Sequence, residues 1–217
     1  MPRSSRHTKE ELRALIVTET LDMVRRHGSR YVTARRIAQA IGYTPGMLYS
    51  AFANLQEILL HVNTVSLESL RDDCVAARLA ARGPADSIRA MGIAYVDFAE
   101  RHTDQFELMF KPADLTGLSR PPRLLQTIAS LFCMVERDLA ELAPSTDFKS
   151  RQLGARALWS AVHGTAALTL SRRLYLDGTP AGREILDASI DYFLAYWQEG
   201  RAGRQPAAPT RVAEKLP

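Results

Sequence analysis

Histidine, cysteine and carboxylate side chains would carry acid–base or metal chemistry in this 217-residue sequence, and their spacing indicates neither. The five histidines are isolated from one another, at His7, His27, His61, His102 and His163. The sequence contains no His-Glu-x-x-His segment, no Gly-x-Ser-x-Gly turn and no glycine-rich phosphate loop, which are motifs of enzyme sites. Glu57 and His61 lie one helical turn apart, but two ligands do not complete a metal site, so a surface contact is the simpler interpretation. The sequence therefore predicts no enzyme, no catalytic residues, no metal and no cofactor.

A different chemistry, contact with phosphates and base edges, is available in the first quarter of the chain. Thr33 can cap a helix that carries Arg35 and Arg36, and Thr44 can cap a second helix with Pro45 at its first position. A short helix, a glycine-containing turn and another short helix form a helix-turn-helix, whose second helix enters the DNA major groove. The alternative is a pair of ordinary helices in a bundle.

Charge is unevenly distributed along the chain. Residues 1–62 carry nine basic and five acidic side chains, residues 63–199 carry 15 and 18, and residues 200–217 carry four and one. A basic first part joined to a slightly acidic body predicts a polyanionic partner for the first part and a different partner for the body.

Eight positions between residues 33 and 52 follow a known pattern of Thr, Ile-Ala, Gly, then Gly-x-Leu-Tyr and an aromatic residue. They are Thr33, Ile37, Ala38, Gly42, Gly46, Leu48, Tyr49 and Phe52. The segment resembles the helix-turn-helix of TetR-type transcriptional regulators. The resemblance implies a dimer that binds a palindromic double-stranded DNA operator, most often as a repressor, and that a small effector releases; an activator of the same fold stays open.

The resemblance also implies roles for individual residues. Thr33 and Tyr49 would bind phosphates, and Arg35 would reach a base edge or a phosphate. The predicted DNA-binding residues are Thr33, Arg35, Arg36, Thr44, Pro45, Gly46, Met47, Tyr49 and Ser50. Because the second helix lacks Asn, Gln and Arg, discrimination between sequences would rest on Arg35 and on apolar contacts to thymine methyl groups. Leu48 and Phe52 are better explained as core.

The sequence departs from the family pattern at Leu55, where the family commonly has a Lys that reaches a phosphate. Each phosphate contact adds salt-sensitive affinity, so its loss predicts weaker binding and a salt dependence that is flatter by about one unit per half-site. Arg35, Arg36 or the N-terminal Arg3 and Arg6 could compensate. The competing hypothesis is a helical interaction protein whose helix-turn-helix no longer binds DNA.

The remainder of the chain is predicted to be helical, because it shows no alternating pattern typical of strands. Their predicted ranges are 54–82, 84–101, 103–110, 121–142, 147–175 and 180–199. The turn Asp177-Gly178-Thr179-Pro180 would fold the last two into an antiparallel hairpin that serves as the dimer surface. Its predicted contacts are Ala157, Ala161, Gly164, Leu168, Leu186, Ile190, Phe193, Leu194 and Trp197. The alternative is that these residues form an intramolecular core.

A second resemblance concerns residues 98–110 and 158–168. Trp159, His163 and Gly164 match the signature of a ligand-sensing domain that is named after Trp-His-Gly and found behind TetR-type domains. An apolar or aromatic effector would then lie between the central helices, and its predicted contacts are Tyr95, Phe98, Phe106, Met109, Phe110, Phe132, Trp159 and His163. Plain core packing is the alternative for each aromatic residue, and a satisfied core histidine is the alternative for His163.

The sequence as a whole predicts an all-α fold. It divides into a flexible basic arm (1–7), a three-helix helix-turn-helix domain (8–54), a larger helical ligand-binding and dimerisation domain (55–199) and a disordered tail (200–217). The sequence has only two cysteines, no apolar run of about 18 residues and no apolar signal segment after the first residues. These features predict a cytoplasmic protein without a membrane partner.

Overall fold

The computed structural model describes residues 7–111, 119–176 and 178–199. Within these ranges the fold is helical apart from a two-stranded ribbon, which confirms the all-α prediction. The helices are α1 (Lys9–His27), α2 (Ala34–Ala40), α3 (Pro45–Ala51), α4 (Leu55–Ala80), α5 (Pro84–Arg101), α6 (Thr103–Phe110), α7 (Pro122–Leu142), α8 (Phe148–Leu170) and α9 (Gly182–Gln198). A 3₁₀ turn (Ser29–Tyr31) follows α1, and the ribbon consists of β1 (Tyr175–Leu176) and β2 (Thr179–Pro180). The predicted arm with Arg3 and Arg6, the tail and Asp177 lie outside the described residues.

Local hydrogen bonds explain where the first helices begin. The Thr8 hydroxyl accepts from the Glu11 N–H and the Glu11 carboxylate accepts from the Thr8 N–H, which completes the capping box that starts α1. The Thr33 hydroxyl accepts from the Arg36 N–H at the start of α2. Thr44 occupies the cap position of α3, but its hydroxyl makes no capping hydrogen bond, so the prediction of a side-chain cap there is wrong.

Two hydrophobic clusters form the core. The N-terminal cluster consists of buried side chains from α1–α3 together with Ile58 and Val62 of α4 and Leu108 of α6. The C-terminal cluster joins α4–α9, and it includes Leu70 of the same long helix. Helix α4 therefore belongs to both clusters, and the domain boundary predicted near residue 54 stays a prediction.

Helix α8 ends earlier than its predicted limit of residue 175. Ser171 caps it, and Arg172 then adopts a left-handed backbone with φ 53°, which no continuing helix contains. The short antiparallel ribbon follows, with Gly178 at φ 80° in the predicted turn. Strands of two residues are too short to show alternation, which is why the sequence pattern gave no sign of them.

Most of the dimer contacts predicted on α9 are core residues of the protomer. Leu186, Ile190, Leu194 and Trp197 are buried within the C-terminal cluster, and Trp197 donates to the Leu139 carbonyl of α7 at 2.9 Å. The prediction is wrong for these four, because the apolar stripe of α9 packs against α5 and α8 of its own chain. Phe193 is half-buried.

The predicted dimer residues on α8 do face outward. Ala157, Ala161 and Leu168 are exposed and Gly164 is half-buried. At spacings of four, three and four they form one stripe along the helix, and on the neighbouring α9 Tyr192 is also exposed.

Candidate functional site

Helices α2 and α3 present a polar surface that the other described residues leave uncovered. Arg35 is exposed and makes no hydrogen bond or ion pair within the described ranges. Arg36 is held in place, because its guanidinium lies 3.9 Å from the centroid of the Tyr31 ring and donates to the Tyr31 carbonyl at 2.8 Å. Of the two arginines, Arg35 is therefore the one that is free to bind an anion.

The residues predicted to enter the groove lie together on α3. Thr44, Pro45 and Gly46 are exposed, and the Tyr49 side chain is 49% exposed. The Ser50 hydroxyl donates to the Met47 carbonyl at 2.7 Å, so that hydroxyl is partly committed to its own helix.

The inward side of α3 supports this surface from below. Met47 is half-buried and packs against the N-terminal cluster, so only part of its side chain is accessible. Leu48 and Phe52 are buried in that cluster, in agreement with the core interpretation.

A compact set of polar contacts fixes the junction between α3 and α4. Arg13 of α1 donates to the Ala51 carbonyl and, at 3.1 Å, to the Glu57 carboxylate, and its guanidinium lies 4.0 Å from the centre of the Phe52 ring. His61 Nε2 is 2.9 Å from the same guanidinium. Arg13 therefore bridges Glu57 and His61 in a structural contact. No sequence pattern had pointed to Arg13.

The electrostatics of that junction follow from its contacts. Partial burial opposes ionisation of Glu57, but hydrogen bonds from the Ala53 N–H and Arg13 outweigh it and hold the pKa of that carboxyl below its ordinary value. Burial, followed by the nearby Arg13 charge, lowers the pKa of His61. Leu55 opens α4 directly beside this cluster, behind the Asn54 cap, and is half-buried against the N-terminal cluster.

A cavity of about 600 Å³ lies between α4, α5, α6, α7 and α8. Five of the eight predicted ligand contacts line it, namely Tyr95, Met109, Phe110, Phe132 and Trp159. The prediction is wrong for Phe98 and Phe106, which are 0% and 2% exposed and pack into the C-terminal cluster instead of lining the cavity.

His163 contacts residues that line the cavity. Its Nδ1 atom is 2.9 Å from the Tyr95 hydroxyl, and its ring lies against Phe110 and Trp159 with centroid distances of 4.2 and 5.3 Å. Burial lowers the pKa of His163 and raises that of Tyr95, so both groups are neutral near pH 7. His163 is not among the residues that line the cavity, but it contacts three of them, so a direct ligand contact stays a prediction.

Several lining residues were not predicted from the sequence. Asn63 and Cys74 of α4 line the cavity, as do Lys111, which follows α6, and Arg120, which precedes α7. Burial raises the pKa of the Cys74 thiol to about 12, so this group is neutral. Ligand contacts were predicted mainly from aromatic residues and methionine in the sequence. Single polar residues on α4 and at helix ends form no periodic pattern, so they could not be predicted in this way.

Helix α6 connects the cavity to the helix-turn-helix. Its last residues, Met109 and Phe110, line the cavity, while Leu108 belongs to the N-terminal cluster. On the same helix, the Gln105 side chain accepts from Arg25 of α1 and donates to Ser66 of α4, each at 3.2 Å. A displacement of α6 therefore reaches both α1 and α4.

The parts of the chain that the structure describes contain no cluster of three His, Cys, Asp or Glu side chains suited to a metal ion. Among those same parts, no helix combines the length and apolar character that crossing a bilayer demands.

Comparisons with known proteins agree with this architecture. Residues 88–195 match the family model described as the tetracyclin repressor-like C-terminal domain. A curated relative, the HTH-type transcriptional regulator BetI of Agrobacterium fabrum, is 34% identical over 94 residues, which span 43% of this chain and 43% of the relative's length.

Two solved structures share the fold over most of both chains. BioQ in complex with its natural double-stranded DNA operator has a TM-score of 0.62 at 24% identity, with 84% of this chain and 98% of BioQ covered. RolR in complex with resorcinol has a TM-score of 0.64 at 15% identity, with 91% of this chain and 95% of RolR covered.

The matched family model describes a repressor-like domain, and the curated relative is a transcriptional regulator. The finer resemblance to a domain with a Trp-His-Gly signature stays a prediction. Residues 88–195 thus match a tetracyclin repressor-like C-terminal domain, and helices arranged as a helix-turn-helix precede them in the chain.

Proposed function

We propose that the chain is a ligand-responsive repressor that binds a palindromic operator as a homodimer. The observation that carries this proposal is the uncovered face of α2 and α3, where Arg35 lacks a partner among the described residues and Tyr49 is half-exposed beside the open Thr44 hydroxyl. A free guanidinium and two hydroxyl groups on one face are suited to phosphate and base-edge contacts. The operator complex of BioQ supports the assignment by similarity of fold.

The proposed control by ligand rests on α6. A molecule that fills the cavity contacts Met109 and Phe110, and the Arg25–Gln105–Ser66 chain of hydrogen bonds joins that helix to α1 and α4. A ligand that prefers one position of α6 shifts the population between two placements of the helix-turn-helix and so changes operator affinity. Release by an apolar or aromatic effector is the expected direction.

The proposed dimer uses the outward stripe of α8 that contains Ala157, Ala161, Gly164 and Leu168, together with Tyr192 of α9. Small residues allow two helices to approach closely. A two-fold dimer would place two copies of α3 in half-sites about 34–36 Å apart.

Gel retardation with a duplex carrying the protein's own promoter tests the DNA-binding assignment. We expect Arg35→Ala and Tyr49→Ala each to weaken retardation at least tenfold, because each removes a group that faces DNA. Arg36→Ala is the matched control and should have a smaller effect, since Arg36 is held on Tyr31. Undiminished retardation in both Arg35→Ala and Tyr49→Ala would show that this face is not the interface.

The competing function, a helical interaction protein, is favoured by the Leu55 position and by the few hydrogen-bonding groups on α3. Affinity for a random duplex separates the two functions, because phosphate contacts give a steep dependence on salt concentration. If the affinity for the duplex hardly changes with salt concentration, the interaction protein is favoured.

A further inference from the structure

The cavity is apolar along most of its length and polar at one end. Lys111 and Arg120 are the charged side chains of its lining within the described ranges, and no carboxylate from these ranges lines it. Both side chains are exposed while also lining the cavity, which places them at its mouth.

Neither cation has an acidic partner among the residues that the structure describes. Other arginines of α4 and α7 do have acidic partners. Arg123, close to Arg120 in the chain, pairs with Glu68, and Arg78 pairs with the buried Asp138. Two cations without an acidic partner among the described residues, at the mouth of an apolar cavity, create a positive potential that favours an anion and disfavours a cation.

Asn63 adds an unfilled hydrogen-bond acceptor at the same end. Its Nδ2 donates to the Leu108 carbonyl in the last turn of α6 at 3.4 Å, whereas its Oδ1 is buried and has no partner in the part of the chain that the structure describes. Lys111 directly follows that turn. A buried acceptor without a donor is costly, so a ligand that brings a hydroxyl or N–H to this point gains from filling it.

The other end of the cavity offers only neutral contacts. The thiol of Cys74, fourteen residues along α4 from Leu60, is buried there with apolar neighbours that include Ile88 and Met91. At about 1.5 Å per residue, the lining of α4 from Leu60 to Cys74 extends over about 21 Å. The apolar part of the lining, called the channel below, is therefore extended along α4.

We propose that the effector is an amphipathic carboxylic acid whose apolar body fills this channel, whose carboxylate lies at Lys111 and Arg120, and whose hydroxyl or amide group next to the carboxylate donates to Asn63. The inference rests on the proposed function, because it names the chemistry of the effector of that same cavity. The carboxylate–cation pair is a charge-assisted contact that a neutral molecule of the same length cannot make.

Ligand titration of the full-length protein tests this proposal with probes of one chain length. Trp159 lines the cavity and reports binding by fluorescence, and Trp159→Phe identifies the signal because Trp197 lies in the core. We expect decanoate to bind at least tenfold more tightly than 1-decanol, and decyltrimethylammonium to bind more weakly than either. Along a series from octanoate to decanoate, affinity should rise by up to about fourfold per methylene.

Variants assign the preference to the residues at the mouth. The double substitution Lys111→Met and Arg120→Met should make decanoate and decanol bind equally, while Arg137→Met, an exposed residue of α7 away from the cavity, should preserve the preference. The 3-hydroxy acid should bind more tightly than decanoate, and Asn63→Leu should remove that difference. Equal binding of decanoate and decanol by the wild-type protein, or tightest binding of the ammonium probe, would overturn the proposal.

Gel retardation without ligand separates the two levels of inference. Loss of DNA binding together with a clear preference for decanoate would refute the proposed function and leave the ligand chemistry standing. Intact DNA binding with no preference among the three probes would refute the proposed ligand chemistry and leave the proposed function standing.

Discussion

Arg13 shows how one residue can set the position of a neighbouring surface. It joins α1 to the end of α3 through the Ala51 carbonyl and to the start of α4 through Glu57. Leu55 follows immediately after this junction, so the side chain at position 55 has a defined location at the start of α4. A cation introduced there would project from an ordered element.

Leu55→Lys tests whether the missing cation limits DNA affinity. We expect tighter binding to random duplex and a salt dependence steeper by about 0.9 units per added phosphate contact. The thermal midpoint should fall slightly, because a cation near a helix N-terminus costs about 0.3–1 kcal/mol. Leu55→Gln is the control that removes the apolar side chain without adding charge, and identical salt slopes for the two variants would contradict the interpretation.

Partly buried histidines make the folded state sensitive to mild acid. Burial lowers the pKa of His61, His102 and His163 below the ordinary value of 6.5, so the unfolded chain binds these protons more readily. Their contribution to stability is complete above pH 6.5 and is lost as the pH falls below it.

The thermal midpoint should therefore decrease from pH 7 to pH 5, a window above the titration of the carboxylates. His163→Gln, which keeps a hydrogen-bonding group for Tyr95, should show a smaller decrease than the wild-type protein. His27→Gln at an exposed position is the control. A midpoint that does not change over this range in the wild-type protein would refute the prediction.

At the scale of elements, the starts of the first two helices were more predictable than the surfaces against which helices pack. The capping box at Thr8 and the cap at Thr33 are local, so their signals are complete in a few residues. The apolar stripe of α9 looks the same whether it packs on its own protomer or on a second copy. Tertiary packing alone decides which of these two partners α9 contacts. This is why four residues of α9 were assigned to the dimer surface instead of the core.

The candidate sites divide in the same way. The surface of α2 and α3 follows from a contiguous motif, and the structure leaves Arg35 and Tyr49 accessible as that motif predicts. The cavity is assembled from five helices that lie far apart in the chain, and its charged residues Lys111 and Arg120 stand at helix ends without a pattern. Aromatic type alone could not separate lining residues such as Phe110 from core residues such as Phe98.

The contact between α8 and α9 depends on Gly154. A Cβ atom at this position would lie 2.5 Å from the ring of Trp197 and 3.2 Å from Leu139, and a buried indole ring cannot easily move. Gly154→Ala should therefore be destabilising, because overpacking costs about 1–3 kcal/mol and the gain in helix propensity returns at most about 1 kcal/mol.

Gly164→Ala on the same helix is the matched control. A Cβ atom there has no neighbour within 4 Å in the protomer, so we expect a gain of about 0.5–1 kcal/mol from helix propensity in the monomeric protein. Because Gly164 also lies in the proposed dimer stripe, urea unfolding of both variants is measured in the Ala161→Glu background, which should be monomeric. Equal effects of the two substitutions would mean that Trp197 does not pack as described.

At the scale of the whole molecule, the proposed regulator needs two chains. Ala161 lies in the middle of the outward stripe of α8, and Ala129 is an exposed alanine within α7. Ala161→Glu should convert the dimer to a monomer in sedimentation experiments and abolish cooperative operator binding, because it would bury like charges across a two-fold axis. Ala129→Glu should leave both properties unchanged, and a dimer that survives Ala161→Glu would exclude this stripe.

The membership of α4 in both hydrophobic clusters has a consequence for unfolding. Ile58 and Val62 anchor the helix in one cluster and Leu70 anchors it in the other, without a break in the helical backbone. Neither cluster can lose its packing without exposing part of this helix, so the described body of the chain should melt as one cooperative unit. A molecule bound in the cavity would then slow amide exchange in α1 and α2 as well, because their opening draws on the same free energy.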